Sequence, residues 1–133
     1  MTKKQRLRVV LFSFGYKYGS PTGLQLLLDV RFLPNPYWVK ELRPGSGLDR
    51  NVADYVLESE AGKELQEQLR SLVELLARQN IAAQKKVMRL AVGCTGGRHR
   101  SVALTVWLAD VLRQMDVDLE VFHRDIEKDN DHL

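Results

Sequence analysis

The sequence predicts an α/β sandwich with a largely parallel sheet of about four strands. Two observations lead to this fold class. Short apolar runs rich in β-branched and aromatic residues alternate with longer segments whose leucines recur at helical spacing. Their order along the chain is strand, strand, helices, strand, helix, strand, and such alternation is typical of sheets whose strands run parallel. The 133 residues are expected to form one domain, with flexible ends at 1–6 and 127–133.

The first two strands are predicted in the first quarter of the chain. The run RLRVVLFSFG is β-branched and aromatic and ends in a glycine turn, and Leu24 to Phe32 is a second run of strand length. Only about nine residues separate the two runs, which is near the minimum for a parallel crossover, so an antiparallel pairing stays open. The stretch LPNPYWVKELRPGSG that follows is expected to be an ordered loop.

The remaining elements are two helices, a strand, a helix and a strand. Helical spacing extends from Asp49 to Arg78, where Gly62 is expected to separate a short helix from a longer one. The run KVMRLAVG is the third predicted strand. Ser101 to Met115 is apolar on most sides and is predicted as a buried helix. The run VDLEVFHRD alternates apolar and polar residues and is the last predicted strand.

Composition and charge favour a cytoplasmic protein. The one cysteine cannot form an internal disulfide, which fits a reducing compartment. No apolar stretch approaches the roughly 20 residues that cross a bilayer, so no membrane partner is expected. The net charge of +3 permits an anionic partner without requiring one. We expect neither a cofactor nor a metal ion.

The stretch CTGGRHRS, residues 94–101, joins the third strand to the last helix and is called the anion loop below. Its two glycines let successive N–H groups point into one concavity, and the helix N-terminus adds further donors. Arg100 is expected to clamp two oxygens of a phosphate, with charge from Arg98 or His99 at the rim. The sequence therefore predicts a site for a phosphate-sized dianion.

Polar residues follow each of the four predicted strands. SFGYKYG follows the first, DVR ends the second, CTGGRHR follows the third and HRD ends the fourth. Ligands of open parallel sheets bind beyond the carboxyl ends of the strands, where these segments would converge. Asp29 and Arg31 could equally pair with each other. Tyr37 and Trp38 are expected to pack their loop down rather than stack on a ligand.

The anion loop also has the spacing of cysteine-dependent phosphatases. Cys94 and Arg100 form C-x5-R, followed by Ser101, an arrangement in which a thiolate attacks phosphorus. Gly93 stands where those enzymes carry histidine, and no acid loop is evident that would protonate a leaving group. We expect a non-enzymatic module. Cysteine-dependent phosphatase activity stays open as an alternative, as does a packing role for the thiol.

Five segments resemble, in order, the carboxy-terminal domain of the bacterial RapZ family, the RNase adapter proteins. They are FSFGYKYG, DVRFLPNPYW, LRPGSGLD, VADYVL and GCTGGRHRSVAL, and the likeness runs from Val10 to about Asp125. The resemblance implies a regulatory module that senses glucosamine-6-phosphate, binds small regulatory RNA and forms a homodimer. Full-length relatives also carry a Walker loop, which this sequence lacks, so their nucleotide binding is not carried over.

The resemblance also implies which residues bind the ligand. It places Lys17, Asp29 and Arg31 in the wall around the anion loop, and the converging strand ends add His123 and Arg124. The loop residues themselves are Cys94, Thr95, Gly96, Gly97, Arg98, His99, Arg100 and Ser101.

Two features depart from the family pattern. Tyr37 stands where the family often has histidine, so an imidazole is replaced by a phenol. The end EKDNDHL is acidic where RNA-binding members are basic, which predicts weaker contact with RNA phosphates. An RNA adapter acting through Lys17, Arg98, His99 and Arg124 is nevertheless the second hypothesis.

Overall fold

The predicted order of strands and helices is confirmed by the computed structural model, which describes residues 6–128. The predicted flexible ends lie mostly outside the described residues, as does most of the acidic end of the chain. The elements are β1 (Leu7–Gly15), β2 (Leu26–Asp29), α1 (Arg50–Leu57), α2 (Glu60–Ala82), β3 (Val87–Cys94), α3 (Arg100–Arg113) and β4 (Val117–His123), with 3₁₀ turns at Tyr16–Tyr18 and Pro36–Trp38.

All four strands run parallel, in the order β2-β3-β1-β4. The antiparallel alternative for β1 and β2 is therefore wrong, because β3 lies between them and pairs in parallel with both. Two strand spacings, roughly 10 Å, are short enough for the connection to span without a long helix. Tyr16 and Leu24, near the ends of this connection, pack on the sheet face that carries Phe12 and Phe14.

The helices pack against the opposite face of the sheet. Every second residue of β1 faces them, beginning with Leu7, Val9 and Leu11, and the corresponding residues of β3 do the same. α3 is buried on most sides, as its sequence predicts. Because successive residues of a strand point to opposite faces, the remaining apolar residues, such as Val10, Phe12 and Ala91, lie on the face away from the helices.

The break between α1 and α2 lies at Ser59 and not at Gly62, so the predicted boundary is wrong. The Ser59 hydroxyl accepts a hydrogen bond from the N–H of Gly62 at 3.0 Å, and it donates to the carbonyl of Val56 at 2.7 Å. Serine is favoured at this position because its oxygen satisfies an N–H that the first helical turn leaves unpaired. Gly62 belongs to the first turn of α2, where a Cβ would lie 2.3 Å from the carbonyl oxygen of Val56.

Within the described residues, no helix is both long enough and apolar enough to cross a membrane.

Candidate anion-binding site

The carboxyl ends of the four strands lie at one edge of the sheet, as the sequence predicts. Gly15 of β1 pairs with Cys94 of β3, and Asp29 of β2 pairs with Gly93. Ser13 of β1 pairs with His123 of β4. The anion loop therefore begins at the centre of this edge, between the ends of its neighbours.

Two glycines, Gly15 and Gly97, let the anion loop lie directly on the end of β1. A Cβ on Gly15 would be 2.4 Å from the backbone carbon of Gly96, and a Cβ on Gly97 would be 2.5 Å from the nitrogen of Gly15. Gly97 also has a φ of 76°, which side chains disfavour. No other residue type fits this contact without moving backbone, so the glycines fix the position of the loop.

A cavity of about 430 Å³ opens above the anion loop. Loop residues form its floor, and two other segments form its walls: the turn after β1 and the 3₁₀ turn after β2. The lining residues are Lys17, Asn35, Tyr37, Trp38, Cys94, Thr95, Gly96, Arg98, His99 and Arg100. Its position matches the place where parallel sheets bind ligands.

Arg100 is a buried cation among the residues that line the cavity. Only 6% of the residue is exposed, and burial lowers the pKa of its guanidinium. One terminal nitrogen, Nη1, donates to the carbonyls of Arg31 at 2.6 Å and Leu33 at 3.3 Å, which holds the side chain in place. The Nε atom is buried and has no hydrogen-bond partner among the described residues. Arg100 lines the cavity, and among the described residues this buried charged donor has no acceptor.

Arg98 lines the cavity, but its guanidinium connects backbone segments. Nε and Nη2 donate to the carbonyls of Gly45 at 3.0 Å and Pro44 at 2.9 Å, and Nη1 donates to that of Ile126 at 2.8 Å. The side chain thus joins the anion loop to the loop before α1 and to the segment after β4. Arg98 therefore lines the cavity, while the hydrogen bonds of its guanidinium are directed to protein carbonyls.

His99, like Arg98, lines the cavity and contacts a backbone carbonyl. It is buried, it lines the cavity, and its Nε2 lies 3.0 Å from the carbonyl oxygen of Arg43. Its own carbonyl accepts the N–H of Ala103, the first hydrogen bond of α3.

Asp29 and Arg31 pair with each other instead of lining the cavity. The guanidinium of Arg31 donates to Asp29 at 2.7–3.2 Å and lies 4.0 Å from the centre of the Tyr16 ring. These hydrogen bonds hold the pKa of Asp29 below its usual value. Lys17, the third predicted wall residue, does line the cavity, and its N–H donates to the carbonyl of Thr95 at 3.2 Å.

The end of β4 is fastened to β1 rather than to the cavity. Arg124 pairs with the buried carboxylate of Asp125 and donates to the carbonyl of Gly19. Asp125 in turn accepts the N–H of Gly15 at 2.8 Å. Burial alone would raise the pKa of Asp125, but hydrogen bonds from Arg124, Gly15 and Lys128 outweigh it and hold the pKa lower. Neither His123 nor Arg124 lines the cavity.

His123 gives the fold a pH dependence. Its Nδ1 lies 2.8 Å from the hydroxyl of buried Ser13, and burial lowers its pKa from the usual value near 6.5. A histidine with a lowered pKa in the folded state stabilises that state above its unfolded pKa, and the contribution is lost as the pH falls. We expect the free energy of unfolding in urea to fall more steeply between pH 7.5 and 5.5 for the native chain than for His123→Gln. Equal slopes would contradict this role.

Cys94 lies at the end of β3, at the floor of the cavity. Its side chain is 3% exposed, and its Sγ lies 3.1 Å from the hydroxyl of buried Ser101. Both Arg31 and Arg100 interact electrostatically with the thiol. A histidine at Gly93, as in phosphatases, is excluded here because a Cβ would lie 2.4 Å from the Phe14 ring.

The sequence prediction missed Asn35, Tyr37 and Trp38 as cavity residues. The expectation that Trp38 packs its loop down is wrong, since 75% of the residue is exposed. Tyr37 does pack, with its ring under the guanidinium of Arg43 at 4.7 Å and edge-on to Trp38. The sequence shows that two aromatic residues lie between two strand-end segments. Only the folded loop shows that both rings line the cavity.

Comparison with known proteins gives one family and a consistent set of relatives. Residues 7–127 match the model of the RapZ C-terminal domain. A "nucleotide-binding protein" of Carboxydothermus hydrogenoformans is 45% identical over 95% of this chain and 44% of its own length. One of Thermobifida fusca is 46% identical over 96% of this chain and 43% of its own length. The chain thus spans less than half the length of these curated relatives.

Proposed function

Because this chain belongs to the RapZ C-terminal domain family, we propose that it is a regulatory module that binds a phosphorylated amino sugar above residues 94–101. The observation that carries the proposal is the unsatisfied Nε of Arg100, a residue that is 6% exposed and lines the cavity. Leaving a buried donor unpaired costs about 1–3 kcal/mol, and more when it is charged. A phosphate oxygen would supply the missing acceptor.

The charges of the cavity favour an anion. Lys17, Arg98, His99 and Arg100 line it, and none of its lining residues is acidic. A phosphate there would meet several basic side chains without a competing carboxylate. The first turn of α3 adds backbone N–H groups, since no side chain caps its beginning.

The size of the cavity suits a small organic phosphate. Its volume of about 430 Å³ lies in the range of about 300–1,000 Å³ that is usual for small-molecule sites. The aromatic wall formed by Tyr37 and Trp38 leaves room for a ring beside the phosphate. The relatives' names mention nucleotides, which also carry a phosphate, so a nucleoside monophosphate is the comparison ligand.

Turnover of the ligand is not part of the proposal, because the two carboxylates closest to the strand ends are engaged elsewhere. Asp29 is paired with Arg31, and Asp125 is fully buried beneath Gly15, Arg124 and Lys128. Neither carboxylate lines the cavity. Cleavage of an alkyl phosphate there would need an acid that protonates the leaving oxygen. Turnover of p-nitrophenyl phosphate that Cys94→Ser abolishes would support the phosphatase alternative instead.

Calorimetry tests the proposal. Glucosamine-6-phosphate, guanosine monophosphate and inorganic phosphate are titrated into the chain at fixed ionic strength. We expect the sugar phosphate to bind with a Kd below about 1 mM, equivalent to about −4 kcal/mol, and more tightly than the nucleotide. Absence of binding by all three ligands at this level would overturn the proposal.

Cys94 provides an independent report on occupancy. Because the thiol and Arg100 line the same cavity, a bound phosphate would cover Cys94. We expect inorganic phosphate to slow alkylation of Cys94 by iodoacetamide severalfold, measured by intact mass, with chloride at equal ionic strength as the control. An alkylation rate unaffected by phosphate would place the anion elsewhere.

RNA binding and homodimer formation stay predictions of the sequence and the resemblance. Two of the four cations assigned to RNA, Arg98 and Arg124, donate their hydrogen bonds to carbonyls and to Asp125. Structured small RNAs in a gel-shift series at low salt test the RNA hypothesis, since phosphate contacts weaken steeply as salt increases. No retardation at the lowest salt would remove it.

A further inference from the structure

Among the described residues, no carboxylate lines the cavity, although an amino sugar carries a cationic ammonium group. Its ionisable lining residues are Lys17, Tyr37, Cys94, Arg98, His99 and Arg100, none of which is an Asp or Glu. An ammonium group in this cavity would therefore have to be stabilised by neutral acceptors or by an aromatic face that attracts cations. This inference rests on the proposed function and concerns the part of the ligand away from the phosphate.

Two aromatic rings line the cavity, and one of them already carries a cation. The guanidinium carbon of Arg43 lies 4.7 Å from the centre of the Tyr37 ring. Among the described residues, no lysine or arginine lies over the ring of Trp38, although four of the other aromatic side chains, Phe14, Tyr16, Tyr18 and Trp107, carry one. Trp38 is also 75% exposed. Its indole is thus the available aromatic surface at the cavity.

The position of Trp38 is fixed by its turn. The side chain of Asn35 accepts the N–H of Tyr37 at 3.1 Å, and Arg43 donates to the carbonyl of Tyr37 at 2.7 Å. The Tyr37 ring meets the indole at 86° with 5.1 Å between centres. The backbone of the turn is therefore held by hydrogen bonds, and the Tyr37 ring is in contact with the indole.

We propose that Trp38 is the ammonium subsite, so that the amino group of the ligand lies over its indole while the anion loop holds the phosphate. Tryptophan is the aromatic side chain that attracts cations most strongly. At a partly exposed site the attraction corresponds to a preference of about two- to fivefold for the amine. Trp38 would then select an amino sugar phosphate over its hydroxyl counterpart.

The test compares three ligands on three chains. Glucosamine-6-phosphate, glucose-6-phosphate and inorganic phosphate are titrated into the native chain, Trp38→Phe and Trp38→Leu at pH 6.5, where an amine is mostly protonated. The native chain should prefer the amino sugar by about two- to fivefold. Trp38→Leu should lose that preference and still bind inorganic phosphate, and Trp38→Phe should retain part of it.

Fluorescence gives a second readout because the chain has two tryptophans. Trp107 lies on α3 under Arg70 and does not line the cavity. Ligand should change the emission of Trp107→Phe, in which Trp38 is the remaining indole, and leave that of Trp38→Phe unchanged.

Three outcomes would overturn the inference: equal affinity of the native chain for the two sugar phosphates, a preference that survives in Trp38→Leu, or emission of Trp107→Phe that ligand leaves unchanged. In each case phosphate or glucose-6-phosphate binding would leave the proposed function standing. Absence of binding by all three ligands would overturn both.

Discussion

Replacing Arg100 by methionine is expected to weaken binding of a sugar phosphate by about tenfold to a hundredfold. A hydrogen bond to a charged group contributes about 1.5–3 kcal/mol, and this change removes both the donor and the charge. Arg100→Lys keeps the charge but not the planar guanidinium, so its affinity should lie between those of the native chain and Arg100→Met. Calorimetry with glucosamine-6-phosphate measures the effect.

The control for this variant is the loss of an arginine far from the cavity. Arg50 lies exposed at the beginning of α1, and Arg50→Met should bind within about twofold of the native chain. Arg100→Met should remain folded, because methionine fills similar space and removes a buried donor that has no partner, although the carbonyls of Arg31 and Leu33 lose theirs. A folded Arg100→Met chain that binds like the native one would contradict the role of Arg100.

Replacing Gly15 by alanine is expected to damage both the fold and the site. The added Cβ would lie 2.4 Å from the carbon and 2.5 Å from the oxygen of the Gly96 carbonyl, and neither backbone can move independently. Overpacking of this kind costs about 1–3 kcal/mol or more, so the Tm should fall by about 5–10 °C. The anion loop would also move away from β1, so phosphate should no longer raise the Tm.

Gly23→Ala is the matched control for that variant. Gly23 has a φ of 73° but no atom within 4 Å of a new Cβ, so the substitution tests backbone strain without a clash. It should cost about 1 kcal/mol and leave phosphate binding intact. A loss of binding in Gly23→Ala equal to that in Gly15→Ala would show that a loss of stability alone, and not contact with the anion loop, is responsible.

Local patterns predicted those features of the chain that depend on local sequence. The apolar runs of β1 and β3, the apolar α3 and the glycines of the anion loop each depend on residues that are close together in the sequence. The C-x5-R spacing is also a local pattern, and its two residues, Cys94 and Arg100, both line the cavity. The prediction that the polar strand ends lie at one edge of the sheet required one further assumption, that the strands run parallel.

The features that sequence reasoning missed depend on distant residues. Nothing near Arg98 indicates that its guanidinium donates to Gly45, 53 residues away, or to Ile126. The exposure of Trp38 similarly depends on how its turn lies beside the anion loop. The boundary at Ser59 is an exception, because the local sequence could have predicted it. Serine is a favoured residue at the beginning of a helix, whereas Gly62 lies within the first turn of α2.

The central claim, that the buried Nε of Arg100 binds a phosphate oxygen, can be measured on that atom. In ¹H–¹⁵N spectra the Arg100 Nε–H peak is assigned by its absence in Arg100→Lys, and inorganic phosphate is then titrated. We predict a saturable downfield shift of this proton as it gains an acceptor, with little change at Arg98, whose Nε already donates to Gly45. An Arg100 peak that does not move while phosphate binds, or that moves no more than the Arg98 peak, would contradict the claim.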